Sequence, residues 1–337
     1  MHQTSRRFRS NIVESRSTPI IFALIAITMR LGVFLSVGIK QQAYQTSFVW
    51  QAISPIFSND WVSLAASTLS IFIVAFIFSD LNTRFSLTRF RTSLPFALVL
   101  FLLSIHPLFL RMSPNYISTI FILFAFSPLV ESYQHHAPRN FAFRTGVLIG
   151  IATTFQVFAL AFFPLWWYGE SSMHGFRIKS FIALLLGVLL VLWNVAGFYF
   201  LFDNLESFLA PFIQLGKLNL MPPQYTIIQW SGVALLSLLT IILIFLDIQV
   251  FKRERVITQK TLSFIILIAM ASVVLHYFYW QHTFFFIFQI IIMLSFIVAH
   301  YFSHVNKKGG VYLFAFVFIS LIMFYVNYLI GNPLQFL

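Results

Sequence analysis

Apolar residues run along this chain in long stretches that are separated by short polar segments rich in arginine and lysine. A helix of about 20 residues spans the hydrocarbon core of a bilayer, because each residue adds about 1.5 Å of length. The pattern therefore predicts an all-α integral membrane protein, a polytopic bundle of helices. The clear spans cover residues 19–39, 61–79, 94–110, 116–132, 179–202, 227–247, 261–279, 283–301 and 311–329.

A tenth apolar stretch, from Thr145 to Gly169, has polar residues at its centre and basic residues near both ends. Two structures are open for it. One tilted helix crosses the membrane, or two half-helices meet near Thr153, Thr154 and Gln156 and return the chain to the side it came from. Non-helical backbone at membrane depth is tolerated only where protein or a wet cavity satisfies its polar groups. The threonine hydroxyls and the glutamine amide can supply some of those bonds.

The distribution of positive charge favours the return. Arginine and lysine in short loops mark the cytoplasmic side, so the basic leader at residues 1–18 places the N-terminus in the cytoplasm. If the tenth stretch returns, Lys217 is the only later basic residue outside. The other later basic residues are then cytoplasmic, and they are Arg177, Lys179, Lys252, Arg253, Arg255, Lys260, Lys307 and Lys308. A single crossing would put those eight outside. We therefore expect nine full spans plus one broken, re-entrant helical pair, with residues 40–60 and 203–226 as external loops.

Composition agrees with a single transmembrane domain over residues 1–337. The chain is 59% hydrophobic and 9% charged, whereas soluble domains carry about 25% charged residues. The absence of cysteine excludes disulfides and thiolate metal sites. The histidines lack the spacing of metal ligands, and phosphate-loop, dinucleotide and hydrolase motifs are missing. We expect no metal and no cofactor, and the net charge of +12 reflects cytoplasmic loops rather than a nucleic-acid partner.

The nine acidic residues divide unevenly between the two sides on this topology. Only Asp60, Asp203 and Glu206 are external, so any outer-face chemistry that needs a carboxylate must use one of them. The remaining acids are expected to be solvated charges that balance basic neighbours at the cytoplasmic surface. They are Glu14, Asp80, Glu131, Glu170, Asp247 and Glu254.

Arg30 lies near the middle of the first predicted span. A central arginine costs about 2.5–3.5 kcal/mol even on the insertion scale, so its side chain should face the bundle and find partners. Two roles are open. It bonds to helix carbonyls, or it binds an anion, because a guanidinium holds phosphate oxygens bidentately. Other polar groups expected on the external side include His106, Arg111 and Lys217.

Two runs resemble the middle of type C glycosyltransferases. They are HPLFLRMSPNYISTIFILFAFSPLVESYQ and, after a basic loop, RTGVLIGIATTFQVFALAFFPLWWYG. The shared features are a proline-containing turn, a long helix, a short basic loop and a G-x-x-x-G-x-A segment, here Gly146, Gly150 and Ala152. Small residues at this spacing also let helices approach closely. The whole chain further resembles a polytopic membrane family of Bacteroidota, a resemblance that carries no activity with it.

The resemblance implies a multi-pass protein of the bacterial inner membrane whose outward-facing site uses a polyprenyl-phosphate sugar as donor. In that superfamily an acid in the first external loop serves as base or orients the acceptor. Here KQQAYQTSFVWQAISPIFSND has no acid before Asp60, which lies at the far end of the loop and departs from the pattern. Asp60 is the candidate base, and cations would stabilise the leaving phosphate. The candidate substrate-binding residues are Arg30, Arg111, Lys217, His106, Asp203 and Glu206.

Two other functions are open. The small number of external acids suits a non-enzymatic membrane subunit of an envelope or secretion assembly, with other envelope proteins as partners. The other alternative is a transporter or lipid flippase. Transporters often show inverted repeats with paired broken helices, and only one broken segment is visible here. In all three cases membrane lipid surrounds the protein.

Overall fold

The computed structural model describes residues 3–38, 47–88, 92–218, 227–305 and 308–329. Within these ranges the chain forms fourteen α-helices, joined by short turns, and no β-strand. The helices are α1 (Gln3–Phe8), α2 (Thr18–Val37), α3 (Trp50–Ile53), α4 (Asp60–Phe85), α5 (Leu94–Ser104), α6 (Pro114–Glu131), α7 (Pro138–Phe155), α8 (Phe163–His174), α9 (Ile178–Leu201), α10 (Leu205–Gly216), α11 (Ile227–Phe251), α12 (Val256–Phe278), α13 (Thr283–Ser303) and α14 (Lys308–Leu329).

Seven helices of the described ranges are long and apolar enough to cross a membrane, namely α2, α4, α6, α9, α12, α13 and α14. The prediction of a multi-pass, all-α membrane protein is confirmed at this level. The span predicted at 227–247 falls within α11. The one predicted at 94–110 is shorter than expected, because α5 ends at Ser104 and a 3₁₀ turn at Pro107–Phe109 follows.

The tenth stretch is broken at the predicted polar centre. Helix α7 ends at Phe155, and Gln156 adopts extended backbone angles of φ −147° and ψ 108°. A 3₁₀ turn (Val157–Phe162) and α8 follow. The chain then runs back along itself, because the Thr145 hydroxyl of α7 donates a hydrogen bond of 3.2 Å to the Glu170 carboxylate of α8. The alternative of one uninterrupted helix through this stretch is therefore wrong, and α7 and α8 form a helical hairpin.

Protein groups satisfy the backbone at the tip of this hairpin. The Gln156 side-chain amide donates to Asn115 Oδ1 at 2.7 Å, and both side chains are buried. The Thr154 carbonyl accepts bonds from the Phe48 amide at 3.0 Å and from the Ser47 hydroxyl at 3.3 Å. The break is thus held by α6 and by the segment that precedes α3, which meets the requirement for irregular backbone in an apolar environment.

Charged segments gather at one end of the bundle, which we call the basic end. Arg84 forms a 2.5 Å ion pair with Glu131, and the Lys260 ammonium lies 5.2 Å from the Tyr133 ring centroid. Lys260 also donates to the Ser172 carbonyl. Other ion pairs, hydrogen bonds and ring contacts join the further segments of this end. The basic end comprises residues 3–17, 84–88, 131–145, 170–179, 251–260, 303–305 and 308–314.

Aromatic and uncharged polar residues dominate the opposite end, which we call the aromatic end. The Tyr199 hydroxyl donates to the Phe48 carbonyl, and the Tyr279 hydroxyl donates to the Leu215 carbonyl at 2.7 Å. This end comprises residues 47–63, 105–116, 154–158, 199–217 and 276–284. The described parts of the segments predicted to be cytoplasmic therefore meet at one end, and those of the segments predicted to be external meet at the other. Residues 40–46 and 219–226 of the predicted external loops, and Lys307, lie outside the described residues.

Glycines bring α7 and α9 into close contact. A Cβ atom added to Gly187 of α9 would lie 2.5 Å from the Phe143 carbonyl oxygen and 2.8 Å from the Val147 nitrogen. Gly146 of α7 faces the Leu184 carbonyl in the same way. The small residues of the G-x-x-x-G-x-A segment thus have a packing role in this chain.

Candidate functional site

Arg30 is buried, with 1% of its surface exposed, and it ties several elements together at the aromatic end. Every nitrogen of its guanidinium donates to the protein. The acceptors are Thr68 Oγ1 at 2.8 Å, Ser67 Oγ at 2.5 Å, the Phe109 carbonyl at 2.8 Å and the Leu103 carbonyl at 3.4 Å. The side chain therefore bonds to hydroxyls and carbonyls of the protein. It joins α2 to α4, to α5 and to the turn that follows α5.

Arg111 lies directly after this turn, and its side chain is half-buried. Its Nη1 atom is enclosed and has no hydrogen-bond partner among the described residues. The next residue, Met112, donates its amide to the Ser63 hydroxyl at 2.8 Å. Ser63 lies one helical turn from Asp60 along α4, on the same side of the helix.

Asp60 is the first residue of α4, and its side chain is exposed at the aromatic end. The preceding Asn59 caps the helix by accepting a hydrogen bond from the Trp61 amide at 2.9 Å. The contact between Met112 and Ser63 brings the Arg111 segment to the level of the Asp60 turn. The exposed Asp60 carboxylate and the segment that carries Arg111 are therefore both at the aromatic end.

The other candidate residues have different positions. His106 shapes the turn before Arg111, because its Nδ1 accepts the Leu108 amide at 3.1 Å. Asp203, Glu206 and Lys217 belong to the segment around α10, where all three are exposed. Asp203 has a left-handed backbone with φ 50°. The described contacts join this segment to the hairpin tip through the ring of Phe48 rather than to Asp60.

Buried acid–histidine pairs are the feature that sequence reasoning missed. Asp247 of α11 and His300 of α13 both have 0% exposed side chains, and their Oδ1 and Nδ1 atoms lie 2.6 Å apart. Asp247 was expected to be a solvated loop charge, which is wrong. A buried carboxylate requires a partner, and the histidine on the facing helix provides it. No sequence signal identifies the pair, because its members are 53 residues apart.

Two more of the predicted surface acids are enclosed at the basic end. Glu170 is 2% exposed and contacts His174 at 3.0 Å, four residues along the same helix. Glu254 is 8% exposed and lies 3.4 Å from His304. Burial lowers the pKa of the His304 imidazole, and its hydrogen bond to the His300 backbone opposes the shift. The i, i+4 spacing of Glu170 and His174 could have been recognised in the sequence.

The expected surface role holds for other acids of the basic end. Glu14 pairs with Arg9 at 2.7 Å, and Glu131 pairs with Arg84. Asp80 is exposed. Among the described residues, no group of three or more histidine, aspartate or glutamate side chains is placed to hold a metal ion.

Comparison with known proteins identifies no relative. No family model, curated protein or solved structure matches the chain. Functional inference therefore depends on the groups described above.

Proposed function

We propose that the protein is a membrane transferase that resembles type C glycosyltransferases and acts on a polyprenyl-phosphate-linked sugar at its aromatic end. The observation that carries the proposal is the enclosed Nη1 atom of Arg111, a residue whose neighbour Met112 bonds to Ser63 in the turn that begins with Asp60. A buried donor without a partner requires an explanation. An anionic ligand provides one, since guanidinium groups bind phosphate strongly.

Each residue of this region has a distinct role in the proposed reaction. Asp60 accepts the proton of the acceptor hydroxyl, which requires a carboxylate open to substrate. Arg111 stabilises the negative charge that builds up on the leaving phosphate. Arg30 and His106 act as positioning residues, because their hydrogen bonds hold the turn that presents Arg111. Lys217 and the acids of the α10 segment contact the more distant parts of the substrates.

The proposal includes a topology in the bacterial inner membrane. The N-terminus and the basic end face the cytoplasm, nine helices cross the membrane, and α7 and α8 form the re-entrant pair. Support comes from the separation of charge between the two ends, which follows the positive-inside rule. The aromatic end then faces outward, where a lipid-linked donor in the outer leaflet can reach Asp60 and Arg111.

Sugar transfer by membrane vesicles tests the proposal. We expect Asp60→Asn to reduce transfer from a polyprenyl-phosphate sugar by about 100-fold or more, since general base catalysis contributes about 10²–10⁴-fold. Arg111→Gln should also reduce transfer strongly. The matched control is Asp80→Asn, which alters an exposed acid at the other end of the same helix and should leave transfer unchanged. An unchanged surface glycan profile in a clean deletion strain would refute the proposal.

A second candidate function, transport of protons across the membrane, is favoured by the pair formed by Asp247 and His300. Ionisable pairs on facing membrane helices are typical of proton relays. Asp247 Oδ2 and His300 Nε2 are both enclosed without a hydrogen-bond partner in the described part of the chain. Reconstituted liposomes that contain a pH-sensitive dye test this function. Wild-type protein should pass protons under an imposed potential and Asp247→Asn should not, whereas a silent wild-type protein would exclude it.

A further inference from the structure

Two adjoining clefts open at the basic end, between the loop that joins α6 to α7 and the loop that joins α8 to α9. Their volumes are about 400 and 450 Å³, and they share His136 and Arg177 as lining residues. We call the combined space the loop cleft. It lies at the opposite end of the bundle from Asp60 and Arg111, so its role is separate from the proposed transferase site.

Positive charge dominates the lining of the loop cleft. Arg139, Arg177 and Lys179 line it and are exposed, and Lys260 lines its inner part. One hydrogen of the Lys260 ammonium is used by the Ser172 carbonyl, which leaves two for another acceptor. None of the residues that line the cleft is acidic. The lining therefore attracts an anion.

Two long helices begin in the loop cleft. Helix α7 has 18 residues and starts with Pro138, and α9 has 24 residues and starts with Ile178, and both of these first residues line the cleft. The first amides of a helix have no partner within it, and the helix dipole makes this end positive. Both starts thus add the partial positive charge of a helix N-terminus to the four cationic side chains. Pro138 itself carries no N–H, and the Ser180 amide donates to the Arg177 carbonyl at 3.0 Å.

Buried polar atoms without partners indicate that a ligand completes the loop cleft. Ser180 lines the cleft and is 2% exposed, and its Oγ has no hydrogen-bond partner among the described residues. The His174 side chain is also 2% exposed. Its Nε2 contacts Glu170, and its Nδ1 has no described partner. A hydroxyl next to several cations is a suitable donor for phosphate oxygens, and the histidine Nδ1 atom donates as well when it carries a hydrogen.

We propose that the loop cleft binds a phosphate group, and that a membrane lipid supplies it. The preference for a lipid comes from the rim, where Phe176 and Ile178 line the cleft and remain 66% and 63% exposed. Apolar side chains at a phosphate site contact the glycerol and acyl chains of a lipid, whereas a small soluble phosphate has no apolar part to cover them. The lipid headgroup binds to the cations, Ser180 and the helix starts.

Binding to the purified full-length protein in a neutral detergent tests this proposal. Dioctanoyl phosphatidic acid is titrated in one arm and inorganic phosphate in the other, with thermophoresis as the readout. We expect saturable lipid binding that Arg177→Gln weakens by about tenfold, since a hydrogen bond to a charged group contributes about 1.5–3 kcal/mol. Arg139→Gln, at an exposed position, provides a second variant with the same expectation if Arg177→Gln disturbs folding.

Arg255→Gln is the matched control, because Arg255 is an exposed basic residue at the start of α12 and lies outside the lining of the cleft. This variant should bind the lipid like the wild type. If inorganic phosphate bound as tightly as the lipid, the result would support the phosphate site and assign it to a soluble ligand. Absence of saturable binding in both arms, or an equal loss in Arg255→Gln, would overturn the proposal.

Discussion

The contact between α7 and α9 provides a sharp test of the packing, through the substitution Gly187→Ala. The added methyl carbon would lie 2.5 Å from the Phe143 carbonyl oxygen and 2.8 Å from the Val147 nitrogen. Its nearest neighbours are backbone atoms of α7, which cannot rotate away as a flexible side chain can. The two helices must therefore separate locally to accept the methyl group.

The magnitude follows from two opposing effects. Overpacking costs about 1–3 kcal/mol, and rigid backbone neighbours place Gly187→Ala near the upper value. Alanine is favoured over glycine in a helix by about 1 kcal/mol. The expected net loss in the free energy of unfolding is therefore about 2 kcal/mol. Gly197→Ala is the matched control on the same helix, because no described atom beyond its own turn of helix lies within 4 Å of its added methyl carbon. It should gain about 1 kcal/mol.

Thermal unfolding in detergent measures both variants. At about 2 °C for each kcal/mol in a large chain, the midpoint should fall by about 4 °C for Gly187→Ala and rise by about 2 °C for Gly197→Ala. The readout is the fraction of protein that stays monodisperse after heating. Equal midpoints for the two variants, or a higher midpoint for Gly187→Ala, would show that α7 and α9 do not pack through these glycines.

Three further predictions follow from the polar contacts and from the topology. Gln156→Leu should destabilise the hairpin by about 1–3 kcal/mol, because it leaves a buried acceptor without its donor, and the same heating assay measures the loss. Arg30→Gln should lower the midpoint further, since several buried acceptors lose their donor together. The chain has no cysteine, so single cysteines can be labelled directly. An impermeant thiol reagent should reach Ser207→Cys in intact spheroplasts and Arg253→Cys only after lysis, and the reverse result would invert the topology.

Hydropathy alone identified most of the helices, because a long apolar run has few alternatives to a helix in lipid. It gave the wrong length for the helix that begins at Leu94, which ends at Ser104. The 3₁₀ turn that follows is almost as apolar as the helix. The His106 ring accepts the Leu108 amide there, and an average over a window of residues does not detect such a local bond.

The break at Gln156 was predictable because polar residues interrupt an apolar run at one point. Its partner Asn115 was not, since 41 residues separate the two side chains. The prediction that the buried acids are solvated surface charges was wrong for a related reason. The positive-inside rule assigns residues to a side of the membrane but does not reveal which side chain faces which. Asp247 was therefore assigned to the surface, although His300 on another helix encloses it.

The same limit applies to the candidate site. The sequence identified Asp60 and Arg111 as scarce polar groups of the external side, and the fold brings their segments to one level through Met112 and Ser63. Arg30 was assigned to the same set, but its four bonds to the protein occupy the guanidinium. Whether a buried arginine binds protein or ligand depends on carbonyls that only the folded chain brings within reach.

The hairpin of α7 and α8 has a consequence for how this architecture can change. Both of its outer ends lie at the basic end, so on the proposed topology the pair does not change the number of membrane crossings. On that topology a chain without residues 138–174 would keep each later loop on the same side, whereas loss of any one full span would invert them all. Helix α9, however, would lose the neighbour against which Gly187 packs. The side of the membrane on which each loop lies and the packing between the helices thus depend on different features of this bundle. On the proposed topology, a hairpin of this kind can be inserted without changing the side of any later loop.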